Sequence, residues 1–242
     1  MSELARYSRQ IILREVGVNG QAVLRDSSVL IVGVGGLGSA AALYLAAAGI
    51  GRLVLADRDR VDLTNLQRQI LYRQADVGRA KTDAARETLH ALNPVVEVQL
   101  CDRGSWRQAV AGCDVVLDCT DNFPARFEIN RACVAARKPL VSGAAIRFEG
   151  QLAVFDTARG GACYACLYPD AGDAQETCEE AGILGPVAGT IGAMQALCAQ
   201  KLLLGIGDDR GTLHLWDART LAWRKLAIAR DPACGTCGER HD

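Results

Sequence analysis

Short, β-branched apolar runs alternate with longer stretches of helical periodicity through the first 150 residues of this 242-residue chain. Runs at 28–32 and 52–56 predict strands, and segments 37–48 and 81–92 predict helices, the second closed by Asn93-Pro94. Residues 95–100, 114–118 and 139–142 predict further strands, with a helix over about 124–137. Val29-Leu30-Ile31-Val32 is apolar throughout instead of alternating, the pattern of a parallel strand covered on both faces. The expected fold class is therefore α/β: a doubly wound, Rossmann-like, mostly parallel sheet. After Gly150 the pattern changes. Segments 151–155, 212–216 and 223–228 predict antiparallel strands continuing the sheet, and 186–204 predicts a long apolar helix with proline near its first turn. Residues 170–182 are small, polar and acidic, which predicts a long surface loop.

Composition narrows the class. With 28 acidic against 27 basic side chains, the chain lacks the surplus of cations that a nucleic-acid or anionic-membrane binder requires. The polar N-terminus has no signal-peptide pattern, and the most lipophilic stretch, 40–50, is shorter than the roughly 20 residues of a bilayer span. A soluble, cytoplasmic protein is expected. Thiols stay reduced there, so the ten cysteines read as metal ligands, catalysts or packing residues instead of disulfides.

Gly33-Val34-Gly35-Gly36-Leu37-Gly38 follows the first strand and opens a helix. Glycines there permit a tight turn and let phosphate reach N–H groups at the positive helix end. Asp57 closes the second strand, 19 residues past Gly38, where a carboxylate can accept ribose hydroxyls. That fingerprint alone also fits a dinucleotide site for NAD or FAD. The stretch Thr64-Asn65-Leu66-Gln67-Arg68-Gln69 and then Lys81 add an amide and two cations, which suit the greater charge of a nucleoside triphosphate. Asp121 and Asn122 follow the fourth strand, where Asp121 could hold Mg²⁺. The plainer alternatives are that Arg68 and Lys81 are solvated charges and that Asp121 caps the next helix.

Cys163 and Cys166, with Cys234 and Cys237, form two CxxC pairs separated by 67 residues, the pattern of a tetrahedral structural Zn²⁺ site. A redox dithiol is the rival reading; it needs only one pair, and neither pair is expected to open a helix after a strand as in thioredoxin-like folds. Cys101, Cys113, Cys119, Cys133 and Cys198 read as small buried hydrophobes.

Arg6-Tyr7-Ser8-Arg9-Gln10, the glycine loop, Asp57, the 65–69 stretch, Lys81, Asp118-Cys119-Thr120-Asp121-Asn122, Ser142-Gly143-Ala144-Ala145 and both CxxC pairs resemble the ThiF/MoeB/HesA family, bacterial relatives of ubiquitin-activating enzymes. The resemblance implies one adenylation domain over 1–242, with an N-terminal helical arm (1–27), a nucleotide-binding half (28–150) and a carrier-binding and zinc half (151–242). It implies ATP-dependent adenylation of the C-terminal glycine of a ubiquitin-like sulfur carrier ending in Gly-Gly, with Mg²⁺ as cofactor and Zn²⁺ structural. Nucleotide contacts would come from Gly33, Gly35, Gly36, Gly38, Asp57, Asp59, Thr64, Asn65, Leu66, Gln67, Arg68, Lys81, Asp121 and Asn122. Arg9 would reach the ATP of a neighbouring subunit, implying a homodimer, and a sulfurtransferase or cysteine desulfurase would be a further partner. Cys178 would attack the acyl-adenylate or join a sulfur relay. Its carboxylate neighbours raise a thiol pKa, and an incidental exposed thiol is the plainer reading. Segments 41–46, 53–57 and 166–170 resemble the thiamine-thiazole branch, whereas 142–147 resembles the molybdopterin branch. A Rossmann oxidoreductase and a non-catalytic carrier-binding module are the other functional readings.

Overall fold

Eight strands, β1 to β8 in chain order, form one sheet in the order β3-β2-β1-β4-β5-β6-β7-β8. β1 (Ser28–Val32), β2 (Arg52–Ala56), β3 (Glu97–Leu100), β4 (Val115–Asp118) and β5 (Leu140–Ile146) pair in parallel. β6 (Glu149–Phe155), β7 (Thr212–Asp217) and β8 (Ala222–Ala227) continue the sheet antiparallel. The computed structural model describes residues 3–101, 105–169 and 181–238. Most of the predicted 170–182 loop, including Cys178, lies outside them.

Both faces of the sheet are covered at β1, which is why that strand needs no polar face, whereas the edge strand β8 is exposed along its length. Val29 and Ile31 enter one cluster with Leu45, Ile191 and Ala199, while Leu30 and Val32 enter the other with Phe155 and Ile129. The helices in chain order, after two single turns at Glu3–Arg6 and Ser8–Ile11, are α1 (Gly17–Asp26), α2 (Gly36–Ala48), α3 (Lys81–Leu92), α4 (Trp106–Val110), α5 (Phe123–Ala136), α6 (Tyr164–Leu167) and α7 (Gly185–Leu204). By length and composition α7 could cross a membrane, but it is packed along α2 and β5, with Val187, Ala188, Ile191 and Ala196 buried. Its one fully buried amide, Gln195, donates to the carbonyls of Asp118 (2.7 Å) and Val141 (3.1 Å) and accepts from the Cys119 thiol. Gln195→Leu would therefore strip the donor from two buried acceptors. It is expected to destabilise the fold by about 1–3 kcal/mol in urea denaturation.

β5 extends four residues beyond the predicted strand. Gly143, Ala144 and Ala145 read as a loop by composition, yet each pairs with β6 across a tight reversal in which Arg147 adopts φ 52°. β3 starts at Glu97, two residues later than expected, because the Val96 N–H turns back to the Asn93 carbonyl.

Candidate active site

The chain order of the strands reverses at β1, with β2 on one side and β4 on the other, so a crevice opens beyond their carboxyl ends. It has a volume of about 1570 Å³. Gly33 turns the chain out of β1 at φ +89°, and a Cβ at Gly38 would lie 2.0 Å from the Gly33 carbonyl oxygen, so only glycine allows this loop to close onto α2. Val34, at the loop's centre, is held at both ends. Its N–H donates to Asp57 Oδ2 (2.8 Å) and its carbonyl accepts from the Tyr72 hydroxyl (2.7 Å). Burial, with Asp57, Asp76 and Asp59 nearby, pushes the Tyr72 pKa well up and keeps it a donor. The other Asp57 oxygen accepts from the Asp59 N–H (2.9 Å), leaving lone pairs free toward the cleft.

The second wall carries the cations. Lys81 opens α3 and is buried except for 6%, with Nζ 3.1 Å from Asp59 Oδ2. Asn65 is buried at the end of a 3₁₀ turn capped by Asp62, whose carboxylate accepts from the Thr64 N–H (2.8 Å). Arg68 donates to the Thr64 carbonyl (3.2 Å), and the buried Gln69 Oε1 has no partner. On the opposite wall Asn122, not Asp121, caps α5, accepting from the Ala125 N–H (3.0 Å). Asp121 accepts one bond, from Asn122 Nδ2 (3.1 Å), and is otherwise open to the cleft.

Behind it, the fully buried Asp118 accepts from the Thr120 N–H and hydroxyl and from Ser142 Oγ (2.8 Å). Arg126, one turn into α5, donates to the Thr120 carbonyl (3.1 Å) and lies over the Phe123 ring. Burial disfavours its charge, but the Asp118 carboxylate and the Tyr164 hydroxyl outweigh this and raise its pKa.

Beside Asn130, at the middle of α5, the four CxxC sulfurs converge. All lie within 4.8 Å of one another, with Cys163–Cys234 at 3.7 Å, Cys166–Cys163 at 4.0 Å and Cys166–Cys237 at 3.4 Å. Four thiolates around one ion at the usual zinc–sulfur length of about 2.3 Å would stand about 3.8 Å apart, so the spacing fits a tetrahedral metal site. Cys163 caps the four-residue α6, but that turn follows a 3₁₀ turn at Thr157–Arg159 and not a strand, unlike the thioredoxin-like arrangement. The convergence of both pairs, not the absence of a helix, argues for metal over a redox dithiol. The remaining described cysteines behave as packing, with burial pushing Cys133 up to about 12 and Cys198 up to about 11.

The ThiF family pattern matches residues 7–236. The chain belongs to the ThiF family. It is 48% identical over 240 residues to the sulfur carrier protein ThiS adenylyltransferase of Escherichia coli strain K12, covering 98% of this chain and 96% of the relative. It is 47% identical to the molybdopterin-synthase adenylyltransferase of the same strain, over 98% and 97% of the two chains. The adenylyltransferase and sulfurtransferase MOCS3 of Drosophila yakuba is 47% identical, but this chain spans only 53% of it. Among solved structures, E. coli MccB with MccA-N7isoASN superposes with a TM-score of 0.84 at 23% identity, covering 96% of this chain and 75% of that one, a likeness of fold. This ThiF-family chain is an adenylyltransferase.

In the ThiF-family cleft, Gly33, Gly35, Gly36, Asp57, Asp59, Thr64, Asn65, Arg68, Lys81, Asp121 and Asn122 stand on the walls. Gly38, Leu66 and Gln67 do not: Leu66 packs against the core and Gly38 against Gly33. Arg9 is exposed on the Ser8–Ile11 turn, away from the cleft of its own chain. Neither Tyr72 nor Arg126 stands out in the sequence, and Thr120 enters only within the 118–122 motif.

Proposed function

We propose that this ThiF-family chain binds Mg·ATP in the cleft and adenylates the C-terminal glycine carboxylate of a small ubiquitin-like sulfur carrier ending in Gly-Gly, releasing pyrophosphate. The carrying observation is the facing of Lys81 and Arg68 by Asp121 across a glycine loop whose centre is clamped by Asp57 and Tyr72. A dinucleotide's two phosphates are served by the helix terminus, whereas a triphosphate carries further charge for Arg68 and Lys81 to meet. The carrier carboxylate is ionised at neutral pH, so its attack on the α-phosphorus needs no general base. The protein's work is to fix the two reactants and neutralise the charge gathering on the departing pyrophosphate, which falls to Lys81 and Arg68. Asp121 has the uncommitted oxygen that a Mg²⁺ ligand requires, and the ion when bound supplies further charge neutralisation. Asp57 would hold the ribose.

In the same reading Arg9 completes a neighbour's cleft in a homodimer, and the four cysteines hold structural Zn²⁺. The near-equal likeness to thiazole-branch and molybdopterin-branch enzymes leaves a ThiS-like and a MoaD-like carrier as the two candidates, each with a sulfurtransferase or cysteine desulfurase downstream. ATP/pyrophosphate exchange driven by each carrier separately tests the proposal. Exchange with neither, or nicotinamide turnover instead, would sink it.

Two variants refine the reading. Tyr72→Phe removes the shorter of the two hydrogen bonds to the buried Val34 carbonyl and leaves only the Ser39 hydroxyl at 3.5 Å, so the KM for ATP is expected to rise up to about tenfold, a change of about 1.4 kcal/mol, with kcat held. Cys178→Ala is expected to leave carrier adenylation intact while abolishing thiol-dependent capture of the activated carrier, read by mass spectrometry of the products.

A further inference from the structure

Asn130 sits on α5 between the cleft and the four-sulfur cluster, and only 1% of it is exposed. Both ends of its amide are engaged. Its Oδ1 accepts from the Tyr164 N–H at 2.9 Å, and its Nδ2 lies 3.5 Å from Cys163 Sγ. The orientation is fixed by chemistry: a backbone N–H can only donate, so the amide oxygen must face Tyr164 and the NH₂ must face the sulfur. A cysteine acting as a metal ligand is a thiolate, a pure acceptor, for which that NH₂ is a matched donor. Cys163 and Tyr164 are adjacent, so one side chain grips the start of α6 through both its backbone and its ligand sulfur.

We infer that Asn130 is a positioning residue for the four-cysteine metal site, donating to the Cys163 thiolate and fixing the turn that presents it. The inference rests on the metal reading given above. Outer donors of this kind typically change metal affinity 10–100-fold when removed. They stabilise the charge left on a bound thiolate and hold it in ligand geometry without touching the ion.

The test uses the full chain loaded with Co²⁺, whose thiolate charge-transfer band reports the ligand set, together with competition against a chromophoric chelator. Asn130→Asp keeps an acceptor for the Tyr164 N–H but removes the amide donor, and Asn130→Ala removes both. Both variants are expected to release metal 10–100-fold more readily than the parent, with a shifted charge-transfer band. Gln195→Leu, which weakens the fold elsewhere, is expected to leave metal affinity unchanged. Parent-like affinity and spectrum in Asn130→Asp would overturn the inference. Equal metal loss in Gln195→Leu would do the same by reducing the effect to general destabilisation. A parent chain that takes up neither Co²⁺ nor Zn²⁺ would overturn the metal reading itself, and the inference with it.

Discussion

Asp121→Asn is expected to lower carrier-dependent ATP/pyrophosphate exchange by about 100- to 1000-fold while leaving the melting temperature within a degree or two. The size follows from what removing one preorganised charge-stabilising group costs in comparable sites, about 3–4 kcal/mol of barrier. The small stability change follows from its surroundings: Asp121 is exposed, and its one hydrogen bond, from Asn122, can be kept by an asparagine oxygen. The cap on α5 belongs to Asn122 and survives. Lys81→Met should produce a comparable loss in exchange but disturb the fold more, since that ammonium is buried beside Asp59. A double variant should fall well short of the product of the two losses, because both groups serve one charge distribution. Exchange rates above a tenth of the parent's in Asp121→Asn would remove Asp121 from the reaction.

If the four cysteines hold the proposed Zn²⁺, stripping it, or replacing Cys234 and Cys237 by serine, is expected to be the most damaging change to the fold. Residues 229–233 are exposed, and Cys234 is the first buried position after β8. The tail is thus held to the body chiefly by its sulfurs; the bond from Arg230 to the Cys237 carbonyl lies within the tail itself. Structural zinc sites release about 10–16 kcal/mol on binding. Even a quarter of that, about 3–4 kcal/mol, would lower the melting temperature by roughly 5–15 °C in a chain of this size. The serine variants should also be cleaved by protease within 228–238 while the sheet stays intact. Unchanged melting and cleavage after chelation would show that no metal supports this corner.

The parallel half of the sheet was legible because its strands are buried on both faces, and burial of that kind writes an uninterrupted apolar run into the sequence. The phosphate loop was legible because steric demand leaves glycine no substitute at Gly33 and Gly38. What escaped has non-local causes. Nothing within residues 143–146 says strand; their partners in β6 do. Tyr72 carries no local signal, because its hydroxyl's partner, Val34, lies 38 positions earlier. Nor does Arg126, whose half-buried charge is supported by Asp118 and the Phe123 ring. The plainer alternative for Asp121, a helix cap, misses by one position, a difference decided by which side chain faces the Ala125 N–H.

The Lys81–Asp59 pair has a consequence for how nucleotide arrives. Without ligand, the ammonium already has a carboxylate partner at 3.1 Å, so the pair presents a dipole to the entrance and not a bare positive charge. Its reach into solution is accordingly short, and small anions gain little by entering. A triphosphate brings enough charge at close range to displace Asp59, whose side chain is 60% exposed and can swing into water at little loss. Binding at this wall is then an exchange of one anion for another, and it discriminates by charge density.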